Sequence, residues 1–316
     1  MTFKIYCSIC GYENNSNNTL CQRCNEFLHK DNILSDNKQL NSIDELFANI
    51  YHQKLNDAIL TLDSYEVIIQ NIIESGENGI IYRKNMTPLE RVVAIAKAYS
   101  IVITKEIGNN YGEYAYNVIC IDKTFDSSIQ IATILHELTH HLFNEILKQI
   151  LIYVWNVKKS PLLDAFVQTL VSLPPVLLAS EYCASKTEER YLPKEYVSYS
   201  SFNQIAGDLN YDGKILLNTF VIANGISESI IRILSNFIDN QLEDKIRQEF
   251  ERNNTEEIAN PICIEDRIIN NPILRNVYLM NMITESYELL NDENYRHLIE
   301  RNRDLFEKAY EKIKTD

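Results

Sequence analysis

The sequence predicts an α+β protein that is mostly helical, with a small antiparallel sheet near its middle. Helix-periodic apolar runs occupy most of the chain after residue 40, and two β-like runs lie between residues 100 and 122. The first 30 residues carry paired cysteines, which predict a separate small unit. The length of 316 residues, with 45% hydrophobic and 23% charged residues, fits one large globular domain or two smaller ones with an added module.

Charge and cysteine content limit the class of protein. With 30 basic and 44 acidic residues the formal charge is −14, which disfavours nonspecific binding to nucleic acid or to an anionic membrane. The N-terminus lacks the long apolar core of a signal peptide. Of seven cysteines, an odd number, four form a metal-like pattern, and both points favour a reducing compartment over a disulfide scaffold. We therefore expect a cytoplasmic protein.

Residues 1–30 are predicted to form a zinc ribbon. Cys7-x-x-Cys10 and Cys21-x-x-Cys24 are two CxxC pairs separated by ten residues. Each pair makes a tight turn that directs two thiolates at one ion, and four thiolates complete a tetrahedral zinc site. A site of this kind has no open position, so its expected role is structural.

The next elements follow from periodicity and turn residues. The polar stretch Asp31–Gln39 is predicted to be a linker, and residues 42–75 are predicted to be helical. Pro88 is expected to begin another helix. The β-like runs Ser100–Ile107 and Tyr114–Asp122 are predicted to form a hairpin. The hairpin residues between them are Gly108, Asn109, Asn110 and Gly112.

The most informative motif is the sequence His-Glu-x-x-His at residues 136–140, in an apolar helical run for which Asp126, Ser127 and Ser128 are N-cap candidates. Because His136 and His140 are four residues apart, both imidazoles project from one helix face and can hold one zinc ion. Glu137 then lies beside the metal, where it can take a proton from a metal-activated water. His141 points about 100° away, so we expect it to form a hydrogen bond or to be exposed, not to bind metal.

A catalytic zinc needs three protein ligands and one open position. Phe143 and Ile146 stand where the metzincin pattern requires glycine and histidine, so that class is excluded and the third ligand is expected to be a carboxylate. The candidates are Glu145, Asp164, Glu181, Glu188 and Glu189.

Glu181 is the predicted third ligand. The pair Pro174-Pro175 can open a new helix, on which Glu181 is an acid within an otherwise apolar stripe. A carboxylate there needs a partner, and zinc is one. The alternative partner is a lysine or arginine. Glu188 is kept as a fallback ligand or as a second group behind a ligand, whereas Glu145 points away from the two histidines.

Residues 200–316 are predicted to be mostly helical and carry no catalytic motif. They are either a substrate-recognition or regulatory helical region or a part of the same domain as residues 40–199. Within that domain the apolar segment 161–180 contains Asp164 and a double proline. These residues favour buried core helices over a transmembrane span.

These motifs resemble the gluzincin metallopeptidases, most closely those of the ImmA/IrrE type. The chain departs from that family by Thr139, where glycine is usual, by a longer interval before the glutamate helix, and by its N-terminal ribbon. The resemblance covers about residues 85–195. It is carried by the strand Val118–Asp122, the motif at 136–140, and the E-x-x-A helix from Glu181 to the Leu-Pro pair at 192–193.

The resemblance implies a zincin-like metallopeptidase domain that hydrolyses peptide bonds of an intracellular protein, for example a regulator. It also implies that the strand Tyr114–Ile121 is an edge on which substrate pairs as an additional strand. The first alternative is a zinc-ribbon binding or regulatory protein with a vestigial peptidase domain, against which the retained Glu137 argues. The second is a membrane-embedded metallopeptidase, based on residues 146–180. Neither nucleic acid nor a membrane is an expected partner.

Overall fold

The computed structural model describes residues 4–6, 13–15, 40–48, 60–81, 83, 85–108, 111–260 and 271–315. These residues are mostly helical and include a three-stranded sheet, which confirms the α+β class. The helices are α1 (residues 43–48), α2 (Leu62–Gly79), α3 (Pro88–Tyr99), α4 (Ser127–Trp155), α5 (Pro161–Val171), α6 (Pro174–Tyr191), α7 (Ser200–Asp208), α8 (Gly213–Ser235), α9 (Asn240–Arg252), α10 (Pro272–Leu290) and α11 (Glu293–Thr315). The strands are β1 (Lys4–Tyr6), β2 (Glu13–Asn15), β3 (Ile101–Lys105), β4 (Gly112–Ala115) and β5 (Val118–Asp122).

Strands β1 and β2 form an antiparallel pair at the N-terminus, with Lys4 opposite Asn15 and Tyr6 opposite Glu13. The predicted ribbon cysteines Cys7, Cys10, Cys21 and Cys24 lie outside the described residues, as does the predicted linker, and the zinc ribbon stays a prediction.

Local sequence signals set the boundaries of the helices around the site. Thr87 caps α3 in a capping box with Glu90, and Pro88 occupies the first helical turn as predicted. Asp126 caps α4 by accepting hydrogen bonds from the N–H groups of Ser128 and Ile129. The 29-residue α4 ends at Asn156, which adopts a left-handed conformation. The predicted helix over residues 42–75 corresponds to α1 and most of α2, with residues 49–59 outside the described chain.

The predicted hairpin between Ser100–Ile107 and Tyr114–Asp122 is wrong. The second run divides into β4 and β5, which form a tight antiparallel hairpin through Tyr116 and Asn117. Both turn residues have positive φ, at 51° and 61°, as a two-residue type I′ turn requires. Strand β3 instead runs parallel to β5, with Ile101 opposite Val118. The sheet order is β3-β5-β4, so the sheet is mixed and not antiparallel as predicted.

The glycine-rich segment after β3 is held in a loop by Asp122. The buried carboxylate of Asp122 accepts hydrogen bonds of 2.9 Å from the backbone N–H groups of Ile107 and Gly108, and it also accepts from Thr124. These bonds, led by the one from Gly108, lower the pKa of Asp122. The loop therefore leads from β3 to β4 on the far side of β5, and its turn residues do not close a hairpin.

Helix α4 lies at the centre of the core and packs against α3, α5, α6, α9 and the sheet. Its predicted apolar positions are fully buried, namely Ile131, Ile134, Leu135, Leu138 and Leu142. The helices after residue 200 share this core, because α8 packs on α6 and α11 packs on α5. Asn302 connects α11 to the sheet and to α5. It accepts a 3.1 Å hydrogen bond from Tyr116 Oη in the β4–β5 turn and donates a 3.0 Å hydrogen bond to Thr169 Oγ1 on α5.

The apolar segment 161–180 forms α5 and the first part of α6, which meet at a bend of 87°. Helix α5 is buried along nearly all of its length. Within the described chain, α8 is the helix that is long and apolar enough on its own to cross a membrane, and half of its apolar window is buried inside the protein. Such burial is also what apolar core helices show.

Strand β4 approaches α4 closely at Gly112. A Cβ atom at this position would lie 2.4 Å from Thr133 Cγ2 on α4 and 2.8 Å from the backbone oxygen of Cys120 on β5. Real Cβ atoms do not tolerate such distances, so only glycine allows β4 to lie against this part of α4.

We predict that Gly112→Ala lowers the free energy of unfolding by about 1–3 kcal/mol, because the added methyl group overpacks the β4–α4 contact. Thr133→Ser removes the nearest clashing atom and should restore part of the loss when combined with it. Gly213→Ala is the matched control, since nothing lies within 4 Å of the added atom. Urea unfolding of the four proteins measures the effect, and equal stability of Gly112→Ala and Gly213→Ala would contradict it.

Candidate metal centre

The two motif histidines lie side by side on α4, where this helix crosses α6. The ring centroids of His136 and His140 are 4.8 Å apart and the rings are inclined at 75°. The helix spacing of four residues places them on one face, as the sequence predicts. Their side chains are 21% and 13% exposed, so each keeps a small opening to solvent.

Glu181 on α6 reaches both histidines. Its Oε2 atom lies 3.6 Å from His136 Nε2, and its Oε1 atom lies 3.5 Å from His140 Nε2. One donor atom from each of the three residues falls within 4.8 Å of the others. Ligands about 2.1 Å from a tetrahedral zinc ion are roughly 3.4 Å from one another, so each Nε2 atom lies at about the ligand spacing from one oxygen of Glu181.

The donor chemistry fits a metal ion for a second reason. Glu181 Oε2 is buried, and no group of the described residues hydrogen-bonds to it. At 3.6 Å the contact with His136 is too long to be a hydrogen bond. Leaving a buried oxygen without a partner costs about 1–3 kcal/mol, and a cation between the carboxylate and the two imidazoles supplies that partner. Two imidazoles and one carboxylate are a typical ligand set for catalytic zinc.

Two further side chains hold the imidazoles in this orientation. His136 Nδ1 lies 2.9 Å from Glu188 Oε1, and His140 Nδ1 lies 2.7 Å from Ser180 Oγ. With Nδ1–H donating to these acceptors, the Nε2 lone pairs are directed at Glu181 and at the space between the rings. Partners of this kind fix the tautomer and the orientation of metal-binding histidines.

Burial shapes the charges at the centre. Burial raises the pKa of Glu137 to about 7 and lowers the pKa of His140 to about 4. Burial also disfavours the charged form of His136, but the carboxylates of Glu181 and Glu188 outweigh it and raise its pKa well above the ordinary value. The site thus combines Glu137, whose pKa lies near 7, with the carboxylates of Glu181 and Glu188, which attract a cation.

The other candidate carboxylates have different partners. Glu145 and Asp164 both contact the buried ammonium of Lys148, at 2.5 Å and 3.0 Å. Glu189 pairs with Lys186 and accepts a hydrogen bond from Tyr199. Among the five candidate carboxylates only Glu181 meets both histidines, which is the arrangement that the sequence predicts. Glu188 contacts the Nδ1 atom of His136. This is the second role considered for it, that of a group behind a ligand.

His141 is buried and faces away from the centre. Its Nδ1 atom lies 3.2 Å from Tyr114 Oη on β4, and burial lowers its pKa to about 4. This agrees with the expectation that it forms a hydrogen bond with a neighbour.

Two residues of the site were not recognised from the sequence. Ser180, Ala184 and Glu188 follow one another at intervals of four residues, so they share one helix face. This stripe of small and polar residues beside Glu181 was the available signal. Gly112 was interpreted only as a turn residue. A glycine at the start of a β-like run also marks a close approach of two backbones, which is its role here.

No protein-family model, no curated protein and no solved structure matches the chain. The resemblance to the gluzincins therefore stays a prediction, and the functional conclusion depends on the geometry of the site.

We predict two zinc equivalents in the purified full-length protein, one at the four cysteines and one at the centre on α4 and α6. Glu181→Ala should lose one equivalent, because Glu181 is the carboxylate that meets both imidazoles within the described part of the chain. Glu189→Ala, on the same helix, should keep both. Mass spectrometric metal analysis of dialysed protein distinguishes these outcomes. Retention of both equivalents by Glu181→Ala would refute the ligand assignment.

We further predict that Glu188→Ala weakens zinc binding at the centre by roughly 10–100-fold, because His136 loses the acceptor that orients it. Glu188→Gln keeps an acceptor oxygen and should weaken binding less. Competition with a chelator of known affinity measures both. The idea fails if Glu188→Ala and the control Glu189→Ala bind zinc as tightly as the unchanged chain.

Proposed function

We propose that this chain is a zinc-dependent metallopeptidase that hydrolyses peptide bonds of an intracellular protein. The observation that supports it best is the convergence of His136, His140 and Glu181, with the acid Glu137 next to the first ligand in the sequence. A site that only binds metal does not need this additional acid. Its presence favours hydrolysis over the alternative of a regulatory protein with a vestigial peptidase domain.

The roles of the residues follow from this placement. When bound, zinc supplies a Lewis acid that polarises the substrate carbonyl and lowers the pKa of a water. Glu137 accepts a proton from the attacking water and later delivers it to the leaving amine. Glu188 and Ser180 keep the two imidazoles in place through Nδ1.

Four tyrosines near Glu181 in the sequence could supply a donor to the oxyanion, namely Tyr182, Tyr191, Tyr196 and Tyr199, and the last three have other partners. The phenol groups of Tyr191, Tyr196 and Tyr199 bond to Ser235, to the backbone oxygen of Thr255 and to Glu189. They are therefore not assigned a role in the reaction.

The open edge of β4 offers a place for an extended substrate. The N–H of Asp122 donates to the carbonyl of Tyr111, and hydrogen bonding alternates along an antiparallel pair. The backbone groups of Gly112 and Tyr114 therefore face away from β5. A Cβ atom at Gly112 would lie 3.8 Å from Glu137 Cγ, so this edge passes directly over the motif. The edge is β4 and not the whole run Tyr114–Ile121, because β5 is the central strand.

We predict that Glu137→Gln keeps both zinc equivalents but lowers the rate of peptide hydrolysis by roughly 10²–10⁴-fold or more, since it removes the proton acceptor without removing a ligand. A library of quenched fluorescent peptides, incubated with the zinc-loaded full chain, gives the rate. Glu106→Gln is the control, because this exposed acid after β3 pairs with Lys123 and lies outside β4. Equal rates for Glu137→Gln and the unchanged chain, or no hydrolysis by the zinc-loaded chain, would refute the proposal.

A further inference from the structure

Strand β3 forms the opposite edge of the sheet from β4. The N–H of Ile101 donates to the carbonyl of Asn117, and the carbonyl of Lys105 accepts from the N–H of Lys123. Because these groups alternate along a strand, the N–H and C=O groups of Val102 and Thr104 face away from β5. Within the described residues no strand pairs with this side of β3. Four backbone hydrogen-bonding groups are therefore presented in a row.

A groove lies beside this edge, between β3 and α3. It has a volume of about 640 Å³, which is within the usual range for a ligand pocket. Thr104 and Gln130 line one part of it, and the apolar side chains of Leu89, Val93 and Met86 line another. A groove between an edge strand and a helix suits an extended peptide, because every second side chain of the added strand enters the groove.

The strand is also more apolar than an open edge usually is. Ile101 and Ile103 are 37% and 45% exposed, and nearby Ile81 is 75% exposed. Proteins commonly protect open edges with charges, prolines or bulges, because exposed apolar edges pair with other chains. Ile101 and Ile103 lie on the face of β3 opposite to Thr104, so they would contact the remaining side chains of an added strand, whereas Ile81 lines the groove itself.

The charge of the groove indicates what the occupant carries. Arg83 and Lys97 line the groove, and neither belongs to an ion pair in the described part of the chain. The one acid among the lining residues, Glu90, is bonded to the N–H and hydroxyl of Thr87 in the cap of α3. The charge of Arg83 also acts on Glu90, but the two cations exceed the one acid, so the groove is locally positive on a chain of net charge −14 and favours an acidic partner.

We propose that β3 and α3 bind an extended acidic segment of another protein, which adds to the sheet as a fourth strand. Its backbone pairs with Val102 and Thr104, its alternate apolar side chains enter the groove, and its carboxylates contact Arg83 and Lys97. This site is separate from the metal centre, which faces the β4 edge, and it does not depend on hydrolysis at that centre.

A peptide-display selection tests the proposal. The target is the zinc-loaded full chain carrying Glu137→Gln, which prevents loss of peptides by cleavage, and the probe is a library of random twelve-residue peptides. We expect enrichment of acidic peptides with alternating apolar residues. Hydrogen exchange should show that a selected peptide protects the outward amides of Val102 and Thr104.

Matched variants locate the binding. Lys97→Glu should weaken the binding of the selected peptides by about tenfold or more through charge repulsion. Lys214→Glu makes the same change of charge at an exposed residue of α8 and should have no effect. Thr104→Pro removes one outward N–H, a change that edge strands tolerate, and should weaken binding similarly. Unchanged thermal unfolding and zinc content verify that the variants fold.

Two results would overturn the proposal. One is a selection without acidic enrichment, or selected peptides that bind the Lys97→Glu and Thr104→Pro variants as tightly as the unchanged chain. The other is a dimer, detected by sedimentation, that Thr104→Pro dissociates, because β3 would then pair with a second copy of this chain. Neither result bears on Glu137, so failure here and failure of the proposed hydrolysis are distinguishable.

Discussion

The candidate site depends on the crossing of α4 and α6, which buries Glu181 against two imidazoles. A carboxylate at 13% exposure, with one oxygen that no described group hydrogen-bonds, is unfavourable unless a cation joins it. Fully buried Ala184, one turn after Glu181, allows the two helices to approach closely. The same crossing places Glu188 and Ser180 behind the histidines. The candidate ligands and the side chains behind them thus come from one packing contact within the core.

The sheet helps to position α4 and supplies none of the three candidate ligands. Its central strand β5 leads through the Asp126 cap into α4, so the start of the motif helix is tied to the sheet. On one side β4 lies against α4 because Gly112 has no side chain. On the other side β3 remains open beside α3. One small sheet therefore presents an edge at the metal centre and a second edge at a separate groove.

The sequence predicts most of the site because its signals are local or rest on simple physical rules. A four-residue spacing fixes His136 and His140 on one helix face, and an acid in an apolar stripe identified Glu181, which follows His140 after 40 intervening residues. The sheet topology was predicted incorrectly because both candidate turns contain good turn residues. What decides between them is the carboxylate of Asp122, which holds the loop after β3, together with the positive φ of Tyr116 and Asn117. Neither is visible from periodicity.

The rotation of α4 about its axis is set by buried polar contacts on three of its faces. His136 and His140 meet α6, His141 meets Tyr114 of β4, and Lys148 joins Asp164 of α5. A small rotation would leave several buried polar groups without partners, and each such loss costs about 1–3 kcal/mol, more for the charged Lys148. The apolar residues of α4 could pack in more than one rotation, since they surround the helix. The polar contacts select one rotation, and that rotation holds the two imidazoles in place before a metal binds.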